Sequence, residues 1–268
     1  MLRVKLSVVY ACLLTTSLLL LGACGTTAAD KTEGMSPNTL YSEAKDEMSN
    51  GQWERAILLL EKLEARAAGT PLAQQAQLDK AYAQYKTAET AQALATIERF
   101  VKLHPASPAL DYALYLKGMV NFNDDMGLFS KYVRQDLAER DQKASKESFE
   151  AFKELVTRFP DSRYTPDARQ RMGYIVNSLA RYEVFVASYY FKRGAYLAAI
   201  SRAQQAVTDY RDVPAQEEAL FILVKSYDAL GMTQLRDDAK RVLERTYPQS
   251  AFLASNIKPD SGPWWKIW

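Results

Sequence analysis

Between residues 38 and 252 the apolar positions recur at helical spacing, in segments broken by short polar turns. Three segments end on a shared tetrapeptide: His104-Pro105-Ala106-Ser107, Phe159-Pro160-Asp161-Ser162 and Tyr247-Pro248-Gln249-Ser250. Proline cannot continue a helix and commonly follows one, so each tetrapeptide predicts a helix end. Two further ends, Ala68-Gly69-Thr70-Pro71 and Tyr210-Arg211-Asp212, keep the rhythm with a different turn. The closing positions 68, 105, 160, 211 and 248 lie 37, 55, 51 and 37 residues apart. A period of about 34 to 37 residues demands a repeat architecture.

The inside of each unit agrees. The stretches Asn50–Ile57 and Arg193–Ile200 share a Gly, an aromatic residue two positions on and an Ala three further. Gly51 and Gly194 suit the left-handed turn between two helices. Trp53 and Tyr196 would cover that turn, while Ala56, Ala93 and Ala199 would let helices cross closely. This matches the tetratricopeptide pattern. The fold expected is therefore all-α, a superhelical solenoid of about five tetratricopeptide repeats, or about ten helices. The fifth unit is weaker: Gly231 and Pro248 fit, but Arg236 stands where Ala is expected. The long intervals hold extra structure. In the third unit the excess at 123–142 reads as a loop-like insertion between two helices. In the fourth it reads as one long helix opened by Thr165 as cap and Pro166 in the first turn, running to Gly194. Repeats one to three then occupy 38–164, repeats four and five 165–252, and a Trp-rich tail 253–268. The tail's Trp264, Trp265 and Trp268 either fold back on the last repeat, dock on a partner or touch a membrane interface.

The beginning of the chain follows different rules. Arg3 and Lys5 precede an apolar run over 8–21 that is too short to span a bilayer. This predicts a signal peptide over 1–23. Leu21-Gly22-Ala23-Cys24 resembles the bacterial lipobox, in which the Cys receives a diacylglycerol and, after cleavage, an N-acyl chain. An ordinary signal peptide with a Cys near the cut is the alternative. Cys24 is thus the expected lipidation site, and 24–37 a flexible tether. Gly25, in place of an inner-membrane-type Asp, favours the outer membrane. Cys12 would leave with the signal peptide, so the mature chain would form no disulfide.

Charge excludes one class of partner. The net charge of +2 comes from Arg3 and Lys5 alone, and the rest of the chain is balanced, with no global attraction for nucleic acid. Catalysis is not expected either. His104, the one histidine, precedes a Pro at a helix end and reads as a turn or capping residue. Nucleotide-binding, zinc-protease and Cys–His signatures are missing. Asp124, Asp125, Asp136, Glu139 and Asp141 read as solvated surface, with Asp141 capping the next helix, so no metal or other cofactor is expected.

Binding is the better expectation, because stacked helix pairs form an extended concave face. The concave positions are Tyr41, Lys45 and Met48 in the first unit, and Leu78, Tyr82, Tyr85 and Lys86 in the second. Tyr112, Tyr115, Met119 and Phe122 follow in the third. Such a groove suits an extended peptide with aromatic side chains and a terminal carboxylate. The same tyrosines could instead pack between repeats.

The lipobox, the five units, residues 77–86 (QLDKAYAQYK), 95–105 (ATIERFVKLHP) and 109–118 (ALDYALYLKG) together resemble the BamD (ComL) family of lipoproteins over roughly 24–253. The family insertion usually reads Asp-Trp-Ser-x-Arg-Asp-Pro, whereas this chain has Asp136-Leu137-Ala138-Glu139-Arg140-Asp141-Gln142. The resemblance implies a periplasmic scaffold of the β-barrel assembly machinery at the outer membrane. Its N-terminal repeats would receive the C-terminal signals of unfolded barrel proteins. Its C-terminal repeats would bind the last POTRA domain of BamA and also BamE, with BamC along its length. Arg202 is similar to a family position that pairs with an acidic BamA residue. A peptidoglycan-associated structural lipoprotein and an unrelated adaptor such as a pilotin are the competing readings.

Overall fold

The computed structural model describes residues 32–122 and 142–254. The expected signal peptide, Cys24, most of the tether, residues 123–141 of the expected 123–142 insertion and the tail from 255 lie outside the described residues, while Gln142 already opens a helix.

Among the described residues there are eleven helices and no strand. Ten form five antiparallel pairs: α1 (Pro37–Ser49) with α2 (Trp53–Arg66), α3 (Pro71–Lys86) with α4 (Thr90–Leu103), and α5 (Leu110–Asn121) with α6 (Gln142–Arg158). Then come α7 (Thr165–Lys192) with α8 (Tyr196–Asp209), and α9 (Ala215–Ala229) with α10 (Thr233–Thr246). A short α11 (Ala251–Ala254) follows. Each helix packs on its sequence neighbours, and α7 also reaches α9. The result is a one-dimensional stack of hairpins, as expected for about five tetratricopeptide units.

The turns follow from local chemistry. Gly51, Gly194 and Gly231 take positive φ between α1 and α2, α7 and α8, and α9 and α10. In the second unit Ala88 holds the same conformation at φ 61°, a strained choice for a residue with a Cβ. The Pro-x-Ser tetrapeptides are one repeated turn. The backbone N–H groups of Ser107, Ser162 and Ser250 donate to the carbonyls of His104, Phe159 and Tyr247 at 3.0–3.1 Å. The serine hydroxyls accept from the N–H groups of Ala109, Tyr164 and Phe252. Each turn therefore closes one helix and starts the next. Ser36 and Thr70 cap α1 and α3 by accepting from Thr39 and Ala73, with Pro in the first turn of both helices. Thr165 does not cap α7. Tyr164 holds that position, and the Thr165 hydroxyl instead donates to the Phe159 carbonyl at 2.8 Å, tying α7 to the preceding turn.

Small residues set the helix spacing. Ala44, Ala81, Ala187, Ala56, Ala93 and Ala199 are fully buried. Gly118 in α5 goes further: a Cβ there would lie 2.4 Å from the Phe152 ring of α6. Ser148 Oγ donates to the Gly118 carbonyl at 2.8 Å in the same contact.

The long helix joins two cores. Ala168, Ile175 and Leu179 of α7 pack with Leu114, Phe152 and Leu155 of α5 and α6. Ala180, Val184 and Ala187 pack with α8, α9 and α10. At 28 residues α7 is about 42 Å long, against about 18 Å for the 12 residues of α5. The ring of Phe122, just past the end of α5, meets Tyr174 at 5.8 Å, so α7 runs on by about 27 Å beyond that level.

Among the described residues, this overshoot leaves exposed a face that other units bury. Counting from Ala44, Ala81, Gly118, Ala187 and Val224, which share one position of the repeat, each unit meets its predecessor five and two residues before and two after. There the second unit has Ala76, Asp79 and Ala83, and the third Ala113, Leu116 and Val120, all buried. The fifth has Ala219, Ile222 and Ser226, also buried. In the first unit, which has no predecessor, Thr39, Ser42 and Asp46 are polar and exposed. In the fourth the positions are Tyr182, Phe185 and Tyr189, with Phe185 52% and Tyr189 46% exposed. The departure at Arg236 also has a physical reason: α10 ends the stack, and Arg236 pairs with Asp228 and Asp237 at its solvent-facing side.

Candidate functional site

The tyrosines of the first three units line one side of α1, α3, α5 and the start of α7, and two of them repeat a single interaction. Tyr41 on α1 donates its hydroxyl to Asp79 of α3 at 2.9 Å. Tyr115 on α5 donates to Asp167 of α7 at 2.8 Å. Each tyrosine thus anchors its ring to the next unit through a carboxylate. Asp79 is buried and also accepts from Lys45 at 3.4 Å and Gln75 at 3.2 Å. Lys45 is half exposed, so its pairing is weaker than the hydrogen bonds that hold the carboxylate. Asp167 meets Arg171 at 2.6 Å.

These contacts set the electrostatics. Burial, then the charge and hydrogen bond of Asp79, push the Tyr41 hydroxyl above the usual phenol range. Burial, then the charges of Asp79 and Tyr164, do the same to Tyr112. Burial and the bond to Asp167 raise Tyr115. All three are neutral and protonated at neutral pH. For Asp167, burial would raise the carboxyl, but hydrogen bonds from Arg171 and Tyr115 outweigh it and hold the group below its ordinary value.

The remaining aromatic residues form two nests. Tyr82 meets Trp53 edge-on at 5.8 Å and Tyr85 at 6.4 Å, and Lys86 lies over the Trp53 ring at 5.7 Å. Tyr164 stacks on Tyr115 at 4.8 Å and lies 5.5 Å from Tyr112. Arg163 covers Tyr164 at 4.7 Å and donates to its hydroxyl at 2.5 Å. Beside the second nest is a depression of about 430 Å³, lined by Gln75, Asp79, Asp111, Tyr112, Arg163 and Tyr164 among others. Asp111 is partly engaged there, since its carboxylate accepts from Ser162 at 2.7 Å.

The structure brings Tyr41, Tyr82, Tyr85, Lys86, Tyr112 and Tyr115 to this side, with half-buried rings and Lys86 exposed. Other expected groove residues are enclosed. Phe122 is buried against Phe152 and Tyr174, with Arg171 over its ring at 4.7 Å, because α5 ends there and the ring tucks under α7. Met48 and Leu78 are likewise core residues. Two tyrosine hydroxyls expected to serve a ligand are already donated to Asp79 and Asp167. Asp79 and Tyr164 were missing from the sequence reading. The available signal for the first is its register: Asp79 lies three residues before Tyr82 on the same face of α3.

Arg202 has a partner within the chain. Its guanidinium meets Glu183 of α7 at 3.0 Å, with Glu183 buried and Arg202 40% exposed. The pair adjoins Tyr182 of the uncovered α7 face. His104 is the residue that ends α4, its N–H bonded to the Phe100 carbonyl. Among the described residues, no group of three or more His, Cys, Asp or Glu side chains could hold a metal ion, and no helix is long and apolar enough to cross a membrane.

Comparison with known proteins gives the geometry a context. The YfiO family model, described as outer membrane lipoprotein, matches residues 33–253. An outer membrane protein assembly factor BamD from Neisseria meningitidis serogroup A is 47% identical over 262 residues, covering 96% of this chain and 98% of the relative. A BamD from Vibrio cholerae is 36% identical, covering 85% of this chain and 94% of its own length. A solved kinesin light chain from Podosopora anserina with TPR-like repeats is similar at TM-score 0.39 and 14% identity, over 81% of this chain and 100% of that one.

Proposed function

This chain belongs to the outer membrane lipoprotein family that includes the BamD assembly factors, and from that premise we propose that it is a lipid-anchored, non-catalytic scaffold of outer-membrane β-barrel assembly. A role in outer membrane protein assembly follows from the relatives; the anchor, the partners and the signal binding are the proposal. Cys24 carries the diacylglycerol and N-acyl chains, which hold the stack at the periplasmic face of the outer membrane. BamA docks on the C-terminal repeats, BamE joins it there, and BamC lies along the length. The aromatic side of the first three units receives the C-terminal signals of unfolded barrel proteins.

One observation carries the docking reading. Phe185 and Tyr189 occupy positions that bury an interface in other units, yet are about half exposed. Exposed aromatic residues at a stacking surface mark a site completed by another chain. The half-exposed Arg202 lies beside this face, available to an acidic partner residue.

The two surfaces are separable by experiment. Phe185→Asp with Tyr189→Asp should leave the fold intact, abolish BamA co-purification and spare binding of a barrel C-terminal peptide. Tyr82→Phe with Tyr112→Phe keeps both rings, removes two hydroxyls and should weaken that peptide about tenfold while BamA still co-purifies, since each lost bond is worth roughly 0.5–1.5 kcal/mol. Unchanged binding in either arm would refute the corresponding half. Reversal at Arg202 alone would set two carboxylates together. The exchange Arg202→Glu with Glu183→Arg keeps the internal pair and inverts the exposed charge, and retained BamA binding would count against an Arg202 contact.

A further inference from the structure

We infer that the apolar stripe on the last repeat is covered by the chain's own segment 255–268, whose tryptophans cap the end of the stack. Leu235 and Val242, seven residues apart, lie on one side of α10, and Met232 stands at its N-cap; the three are 48%, 48% and 41% exposed. Leu230, at the end of α9, and Leu253, at the last described turn, add to the same end of the molecule.

The repeat itself shows that this surface is unusual. Aligned on the turn residues Gly51, Ala88, Gly194 and Gly231, Leu235 corresponds to Arg55, Gln92 and Ala198, and Val242 to Lys62, Arg99 and Gln205. Earlier units keep these outer positions polar or small. The last repeat of a stack normally turns a polar face to solvent. Arg236 and Lys240 do so on one side of α10, while Leu235 and Val242 do the opposite on another.

The place where the described chain ends selects the occupant. Phe252 stacks on Phe221 of α9 at 5.0 Å, so the chain leaves beside the helix that pairs with α10. Residues 255–263, at about 3.3 Å each, span up to about 30 Å, more than the ~21 Å length of α10. They deliver Trp264, Trp265, Ile267 and Trp268 to the stripe from within the chain.

Tryptophan fluorescence tests this on the full mature chain. Trp53→Phe leaves the three tail tryptophans as the sole indoles. Their emission should be blue-shifted and acrylamide quenching about threefold weaker than for a free tail peptide, as for rings removed from water. Adding Leu235→Asp and Val242→Asp should restore free-peptide emission and quenching. As a second reading without Trp53→Phe, deletion of 255–268 should speed amide exchange in α10 and leave α1–α4 unchanged. Free-peptide emission in the parent would overturn the inference, as would a blue shift that arises only with phosphatidylethanolamine–phosphatidylglycerol vesicles or only with added BamA. Indifference to the two aspartates would do the same.

Discussion

The N-terminal three units and the C-terminal two are built from the same hairpin, but they treat their aromatic residues in opposite ways. In the first half the tyrosines are tied down: Tyr41 to Asp79, Tyr115 to Asp167, Tyr164 under Arg163. In the second half Phe185 and the α10 stripe face solvent, Tyr189 stays about half exposed although Arg193 covers its ring at 4.7 Å, and the enclosed core combines alanines such as Ala180, Ala187, Ala199, Ala203 and Ala206 with Leu220, Leu223 and Leu243. The first surface is preorganised, so a ligand need not order it. The second is complete only when something covers it. A single repeat can thus build an internally tied aromatic surface at one end and half-exposed apolar faces at the other, by choosing which contacts are closed internally.

The most severe way to break this contrast is at the tightest internal contact. Gly118→Ala should destabilise the protein by about 2–3 kcal/mol, against the usual gain from removing a helical glycine, because the new methyl meets the Phe152 ring. Gly173→Ala in α7, with open space around it, should stabilise by about 0.5–1 kcal/mol. Urea unfolding of both variants checks the reversal of sign. Next, Asp79→Ala should cost about 1–2 kcal/mol by removing the acceptor of the half-buried Tyr41 hydroxyl, and should move the Tyr41 ring in NMR spectra without touching α9 or α10.

Acidity should separate the halves. Asp167 is held below its ordinary value, so its stabilisation is present above about pH 4 and fades as pH falls through the lower folded value. Glu218 on α9 is raised by burial, against the pull of Arg181 and Lys192. Its cost is absent at low pH and sets in as pH rises through that raised value. Glu218→Gln should therefore raise the melting temperature slightly at pH 7 and have no effect near pH 4. The smallest change expected is at the strained turn: Ala88→Gly should stabilise by a few tenths of a kcal/mol, because relief of the positive φ slightly exceeds the entropy lost.

Features written in a few adjacent residues were legible before the fold was known. The Pro-x-Ser turns, the Gly51 and Gly194 turns and the long α7 helix depend on local hydrogen bonding and on unbroken periodicity. The turn at Ala88 carries no glycine to mark it in the sequence, since the neighbouring helices impose its positive φ. Groove residues are harder. Tyr41 and Tyr115 lie on the expected side, but their acidic partners are 38 and 52 residues away, and only the stacking brings them together. Phe122 read as lining because periodicity carries it to the same side, yet the end of α5 lets it turn inward. The open face of α7 could not be read from its own sequence: Tyr182, Phe185 and Tyr189 look like core until the short reach of α5 is known. Glu183 beneath Arg202 was hidden for the same reason.

The long helix also works as a ruler. Asp167, at the edge of the tyrosine groove, and Tyr189, on the open face, are 22 residues apart on one continuous α7, a rise of about 33 Å. A fully extended chain covers that distance in about ten residues, close to one membrane-crossing β-strand. Because both cores grip the same rod, the gap is held constant: a polypeptide seated at one end and a neighbour bound at the other would stay one strand-length apart.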